Sequence, residues 1–179
     1  MRKIVAELFS SLDGVVAAPD QWHGPYHNDE IERDIQAGLA AADTMLLGRR
    51  TYQEHAGFWP TESGGPADLM NDIDKVVFSA TLSEVGWRNS RLATGDLAEE
   101  VARLKSRPGR DILVTGSVTL VQTLLRAGVL DELRLLVDPV VVRDGRRLFA
   151  SDGDRLSCSL VGSRTYQSGT ISATYAINH

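Results

Sequence analysis

The order of the apolar runs constrains this chain most. β-friendly stretches at 3–10, 44–48, 75–82 and 111–115 each give way to a turn or a helix signal. Beyond residue 130, extended runs follow one another directly. Strands separated by helices lie parallel, because a parallel neighbour needs a crossover and the helix packs back on the sheet. Runs with no helix between them pair as antiparallel hairpins. The expected architecture is α/β: a central mixed, mostly parallel sheet with helices on both faces and a C-terminal antiparallel hairpin.

Local signals mark the elements. After the first strand, Asp13-Gly14 is a turn, and AAPDQWHGPYH at 17–27 is a loop whose Trp22 and Tyr26 pack on a neighbour. Asn28 or Asp29 caps a helix through about Ala42, with Ile31, Ile35 and Leu39 on one face. TMLLG is a buried strand, and RRTYQEH opens the next helix. Residues 57–72 form a loop with a short helix near its end. KVVFSATL is a strand, followed by a short one around Val85 to Arg88. Asp96 caps a helix to about Arg107, and VTLVQTLLRAG is a helix that Gly128 stops. LDELRLLVDPVVV is extended and broken by Pro139, and Ser168-Gly169 turns the closing hairpin. With no internal repeat or linker, residues 1–179 read as one domain.

Several function classes fall away. No apolar run approaches the roughly 18 residues of a membrane span. The N-terminus lacks the apolar core of a signal peptide, so a cytoplasmic location is expected. The single Cys158 excludes an internal disulfide and reads as a small core hydrophobe. A net charge of −5 argues against a nucleic-acid partner but leaves room for a local phosphate site. Neither a G-x-G-x-x-G nor a P-loop is present. His23 and His27 have metal-like spacing, yet Gly24 and Pro25 break the helix that would align them. Ser117 lacks the G-x-S-x-G frame of an esterase nucleophile, and His55 reads as a helix C-terminal residue.

Three strand ends carry residues suited to an anion: Gly48-Arg49-Arg50-Thr51, Ser79-Ala80-Thr81 and Thr115-Gly116-Ser117. Ligands of open α/β sheets bind beyond the carboxyl ends of the strands. There, helix N-termini present N–H groups, hydroxyls add hydrogen bonds, and arginine supplies a fork that matches phosphate. Each segment by itself is equally an ordinary helix cap. Asp29, Glu30, Glu32 and Asp34 are either a source of a general acid or the charged first turn of a solvated helix. Asp13 suits its tight turn by chemistry alone.

SLDGVVA at 11–17, ADTMLLGRRTY at 42–52, KVVFSATL at 75–82, ILVTGSVTLVQTLLRAGVLDEL at 112–133 and DPVVVRDGRRLF at 138–149 occur in an order that spans nearly the whole chain. In this ordered set the chain resembles the dihydrofolate reductase-like superfamily. The likeness is greatest to the branch containing the reductase domain of the bifunctional riboflavin-biosynthesis deaminase–reductase. The resemblance implies NADPH as cofactor, a small-molecule substrate and a homodimer. By position it assigns Gly48, Arg49, Arg50 and Thr51 to the cofactor's phosphates, with Arg49 or Arg50 near the adenosine 2′-phosphate. Ser79, Ala80 and Thr81 flank the adenine ribose. Thr115, Gly116, Ser117 and Val118 pass the pyrophosphate, Ala17 belongs to the nicotinamide side, and Trp22 to the substrate-side loop.

The chain departs from the family where two or three glycines become Thr115-Gly116-Ser117, and where a glycine after the PVV strand becomes Arg143. The deaminase half, with its H-x-E and P-C-x-x-C zinc pattern, has no counterpart in this sequence. The reaction implied is hydride transfer to a small heterocycle, pterin- or diaminopyrimidine-like, with a proton from water or from Asp13 or Glu30. Two alternatives stand beside it: a non-catalytic NADP(H)-binding protein, and a reductase of an unrelated small carbonyl or imine.

Overall fold

A computed structural model describes residues 2–149 and 155–178. In chain order the elements are β1 (Ile4–Ser11), α1 (Asp29–Ala41), β2 (Ala42–Gly48), α2 (Arg49–Phe58), α3 (Pro66–Asp72), β3 (Asp74–Phe78), β4 (Ser90–Leu92), α4 (Leu97–Ser106), β5 (Asp111–Thr115), α5 (Val118–Arg126), β6 (Glu132–Asp138), β7 (Cys158–Thr165) and β8 (Ile171–Ile177). The strands form one eight-stranded sheet in the order β4-β3-β2-β5-β1-β6-β8-β7. All pairings among β1 to β6 are parallel. β8 runs antiparallel to both β6 and β7. This is the mixed, mostly parallel sheet with a C-terminal hairpin that the order of runs predicts. Met1 and His179, at the ends of the first and last runs, lie outside the described residues.

Strand alternation divides the core into two layers. Ile4, Ala6, Leu46, Val76, Ile112 and Val114 meet Val101 and Leu104 of α4 and Leu120, Val121 and Leu124 of α5. Met45, Leu47, Val77 and Leu113 point the other way, onto Leu39 of α1, Tyr52 of α2 and Met70 of α3. Because side chains alternate with period two, strands covered on both faces need the near-continuous apolar runs seen in MLL and ILV. Each such side chain taken fully out of water contributes roughly 1.5–3 kcal/mol.

The caps follow the sequence signals. Asn28 Oδ1 accepts 3.0 Å hydrogen bonds from the N–H groups of Glu30 and Ile31 at the start of α1. Asp96 Oδ1 accepts from Glu99 N at 2.8 Å at the start of α4. The loop at 17–27 contains two single 3-10 turns, Pro19–Gln21 and Gly24–Tyr26.

Three expectations are corrected. β3 stops at Phe78 rather than running to Leu82, because Ser79 Oγ accepts from the N–H groups of Thr81 and Leu82 at 3.1 and 3.0 Å. A local bond of this kind competes with the ladder and ends it. The short strand is not at Val85 to Arg88: Gly86 N and Trp87 N donate to the Tyr52 hydroxyl at 3.0 and 3.1 Å. Asn89 then turns with φ 57, and the strand forms as β4. Cys158 is exposed, not a core residue, because β7 is the sheet's edge and all its residues are exposed.

Candidate functional site

β5 inserts between β1 and β2, so the strand order reverses there. Such a switch point opens a crevice at the carboxyl ends of the strands. A cavity of about 670 Å³ occupies it, walled by Leu8, Phe9 and Leu136, by Ala17 to Pro19, by Arg50, Thr51, Glu54 and His55 of α2, and by the turn from Thr115 to Thr119. A neighbouring cavity of about 380 Å³ is bounded by Gly48, Arg49, Phe78, Leu97 and Thr123. Arg50, Ser117 and Thr119 line both.

Two helix N-termini converge between these cavities. α2 begins directly after Gly48 and α5 directly after Ser117, and neither start has a side-chain cap. α1 and α4 each carry a side-chain cap, whereas the short α3 does not. Uncapped N–H groups and the positive end of the helix dipole together favour a bound anion. Close approach requires glycine at Gly48, where an added Cβ would stand 2.2 Å from Ser117 Oγ. The turn before α5 is left-handed twice over, at Gly116 (φ 84) and Ser117 (φ 60). That conformation favours glycine and is tolerated by few side chains.

Of the residues picked out in the sequence, Ala17, Arg50, Thr51, Thr115, Gly116, Ser117 and Val118 line the large cavity, and Gly48 and Arg49 line the smaller one. Ser79, Ala80 and Thr81 stand outside both linings, but Thr81 is tied to the site: Arg49 Nη1 donates to Thr81 Oγ1 at 3.1 Å.

Asp13, Trp22 and Glu30 are not brought to the cavity. The Asp13 carboxylate accepts from Ser11 Oγ at 2.7 Å and from the N–H groups of Val142 and Arg143 at 3.0 and 2.9 Å. The Ser11 hydroxyl, with those two N–H groups, holds its pKa at about 2. It is a latch between two loops, ionised throughout the neutral range, and unsuited to deliver a proton. Glu30 is turned toward the hairpin, accepting from Arg164 and from Gln167 N at 3.3 Å each. Trp22 folds back on its own loop, its indole N–H donating to Ala17 O at 3.0 Å. His23 is buried against Asp138, with Nδ1 2.7 Å from Oδ2, and no metal-holding group of His, Cys, Asp and Glu occurs among the described residues.

With this geometry established, comparison with known proteins is decisive. Residues 2–172 match the RibD C-terminal domain. The chain belongs to the RibD C-terminal domain family. An uncharacterised protein of Bacillus subtilis (strain 168), YyaP, is 30% identical to it, with 99% of this chain and 96% of that protein aligned. A Shewanella sp. PV-4 protein assigned by name to riboflavin biosynthesis superposes with a TM-score of 0.82 at 22% identity, covering 99% of each chain. Dihydrofolate reductase from Enterococcus faecalis, solved with NADP(H), gives 0.64 at 14% identity over 99% of this chain and 97% of its own. The two structures establish a shared dihydrofolate reductase-like fold. Among the described residues no helix is long and apolar enough to cross a membrane.

In this RibD C-terminal domain, four site residues escape sequence reading. Glu7 and Glu54 line the large cavity, as do His55 and Arg146. His55 is not simply a helix-end residue. Burial pushes its pKa down to about 4, so the imidazole is neutral, and its buried Nδ1 has no hydrogen-bond partner. The i, i+4 spacing from Thr51 places it on the same face of α2, and that is the one local signal available. Arg146 reaches the start of α5 from a distant loop, donating to Thr119 Oγ1 at 2.8 Å. Nothing local foretells that contact.

Proposed function

We propose that this chain is an NADPH-dependent reductase that transfers a hydride to a small heterocycle, pterin- or diaminopyrimidine-like. It would be a stand-alone counterpart of the riboflavin-biosynthesis reductase domain. The observation that carries the reading is the meeting of two uncapped helix N-termini across Gly48, beside Arg49 and Arg50 and open to the large cavity. Membership of the RibD C-terminal domain family and the fold shared with an NADP(H)-bound reductase support it.

The residues present fit such a cofactor. The N–H groups opening α5 and α2 would hold the pyrophosphate, with Thr51, Thr115 and the Ser117 hydroxyl adding hydrogen bonds. Arg49 shares the smaller cavity with Phe78 and is tethered to Thr81, which favours Arg49 for the 2′-phosphate. Arg50, which lines both cavities, would face the pyrophosphate. When bound, the reduced nicotinamide supplies the hydride. The chain's own task is then positioning: Leu8, Phe9 and Leu136 wall the cavity against water and hold the acceptor within reach, about 3–3.5 Å.

Titration of the purified protein with NADPH and NADH, followed by a panel of dihydropterins, aminopyrimidine ribosides and simple imines, tests the reading. NADPH is expected to bind at least ~10-fold more tightly than NADH, about 1.4 kcal/mol, and to be consumed by a heterocycle. Tight binding without consumption by any acceptor would make the chain a binder, and binding of neither cofactor would remove the reading.

We further assign a homodimer to the β7 edge and a cytoplasmic setting in which the exposed Cys158 stays reduced. Leu160 and Val161 on β7 are 60% and 58% exposed, and among the described residues β7 has no strand on its outer side, an edge that invites pairing. Light scattering should report a dimer that Leu160→Lys with Val161→Lys converts to monomer. A monomeric wild type would sink the assignment.

A further inference from the structure

Glu7 stands where the large cavity meets a smaller one. β1 sets it opposite Arg134 of β6, and Glu7 Oε2 accepts a 2.7 Å hydrogen bond from Arg134 Nη1. α1 closes over the pair at Gly38, where an added Cβ would lie 2.7 Å from Arg134 Nη1 and 3.1 Å from Glu7 Oε2. A glycine inside a helix costs about 1 kcal/mol relative to alanine, and here it makes room for the buried Glu7 carboxyl and the half-buried Arg134 guanidinium. Glu7 is only 8% exposed, and what it faces is cavity. Glu7, Ile35 and Leu136 line both the large cavity and one of about 310 Å³ under α1, whose polar wall is Asp34, Arg134, Tyr166 and Ser172.

With Asp13 and Glu30 turned elsewhere, two carboxylates among the described residues line the large cavity: Glu7 and Glu54. Glu54 is exposed to solvent, whereas Glu7 is shut into the wall.

We propose that Glu7 delivers the proton that accompanies hydride transfer in the large cavity, and that Arg134 positions it. The proposal rests on the reductase reading. A bound reduced nicotinamide would supply the hydride to the acceptor's carbon, with the π pair of the C=N bond moving onto nitrogen. That nitrogen then bonds the proton as the Glu7 O–H bond breaks. The carboxylate left behind faces the Arg134 guanidinium, and charge-assisted bonding stabilises it. The cavity under α1, which Glu7 also lines, is the side from which solvent would return the proton. Opposed influences tune the group: burial, above all, pushes its pKa up, Arg134 pulls it down through charge and hydrogen bond, and the nearby Asp34 carboxylate adds to the rise, so the net direction is upward. A raised carboxyl pKa is what general-acid chemistry near neutral pH requires.

The first test needs neither cofactor nor acceptor. The carboxyl-carbon NMR shift of Glu7 in the free wild-type protein should titrate at a pH above that of an ordinary glutamate. Titration at or below the ordinary value would overturn the proposal. Glu7→Gln should then lose kcat by ~10²-fold or more, the usual scale of a general acid, while NADPH affinity stays within about twofold. Glu7→Asp should fall between the two. Wild-type kcat should decline as pH rises through the Glu7 titration, and the decline should be absent from Glu7→Gln. The titratable and charged groups that share Glu7's two cavities, namely Arg134 of β6, Asp34 of α1, Tyr166 after β7, Glu54 and His55 of α2, Arg50 and Arg146, are the same in both proteins. Full activity in Glu7→Gln would refute the proton role and leave the reductase reading intact. A wild type that binds NADPH yet reduces no acceptor would remove that reading and the proton role with it. If Glu7→Gln does not fold, the NMR titration still decides.

Discussion

Replacing Arg49 and Arg50 together by alanine is expected to weaken NADPH binding by ~10–100-fold and NADH binding by less, so that most of the preference for NADPH is lost. A hydrogen bond to a charged group contributes about 1.5–3 kcal/mol. Both side chains are exposed, so solvent screening keeps the pair toward the lower end of their summed effect. The discrimination arises because only NADPH carries the 2′-phosphate. The single variants separate the roles: Arg49→Ala, which also loses the Thr81 contact, should account for most of the lost preference. Arg50→Ala should weaken both cofactors alike, through the pyrophosphate. Calorimetric titration at low and high salt reads all three effects, with the wild-type advantage for NADPH shrinking as salt rises. If the double variant binds both cofactors as the wild type does, the arginines are surface cations and nothing more.

Gly48→Ala is expected to be the most damaging single methyl group that can be added to the site. Gly48 is buried, paired with Phe78 across the β2–β3 ladder, and followed at once by α2. Its new Cβ would lie 2.2 Å from Ser117 Oγ and 3.0 Å from Ser117 Cβ, so the starts of α2 and α5 must separate. Overpacking of this kind typically costs 1–3 kcal/mol, and moving the N–H groups apart removes the proposed pyrophosphate cradle. A lowered Tm and loss of NADPH binding should appear together. Adding Ser117→Gly removes the clashing side chain at a residue with φ 60, a conformation that glycine prefers, and should recover most of the Tm. A Gly48→Ala protein with wild-type Tm and NADPH affinity would show that the two helix starts are not held at this distance.

How much was legible in the sequence depended on how local each signal is. Asn28 and Asp96 announced α1 and α4 because a cap is a contact within three residues of itself. The strands were legible in MLL and ILV because a strand covered on both faces cannot afford polar residues. Ser79 misled the reading of β3, since a hydroxyl that caps its own turn looks like a tolerated strand residue until its acceptor role is seen. Cys158 misled it in another way: alternation describes a strand equally well at an edge or in the middle. The phosphate-side residues Gly48 to Thr51 and Thr115 to Val118 were found because glycine, hydroxyl and arginine at strand ends form a recognisable chemistry. On the opposite wall, Glu7 is a single acidic residue in an apolar run, and its partner Arg134 is far away in sequence.

The sequence by itself determined the architecture and one half of the site. Periodicity, caps and turn residues act over a few positions, and their order along the chain leaves few ways to arrange strands and helices. Tertiary structure decided the other half. Only the insertion of β5 between β1 and β2 brings the starts of α2 and α5 together. Only the parallel pairing of β1 with β6, roofed by α1 at Gly38, turns Glu7 and Arg134 into a pair at the cavity wall. The reason is physical. A helix cap depends on atoms adjacent in the chain, whereas burial and the resulting shift in a carboxyl's proton affinity depend on what the rest of the fold places beside it.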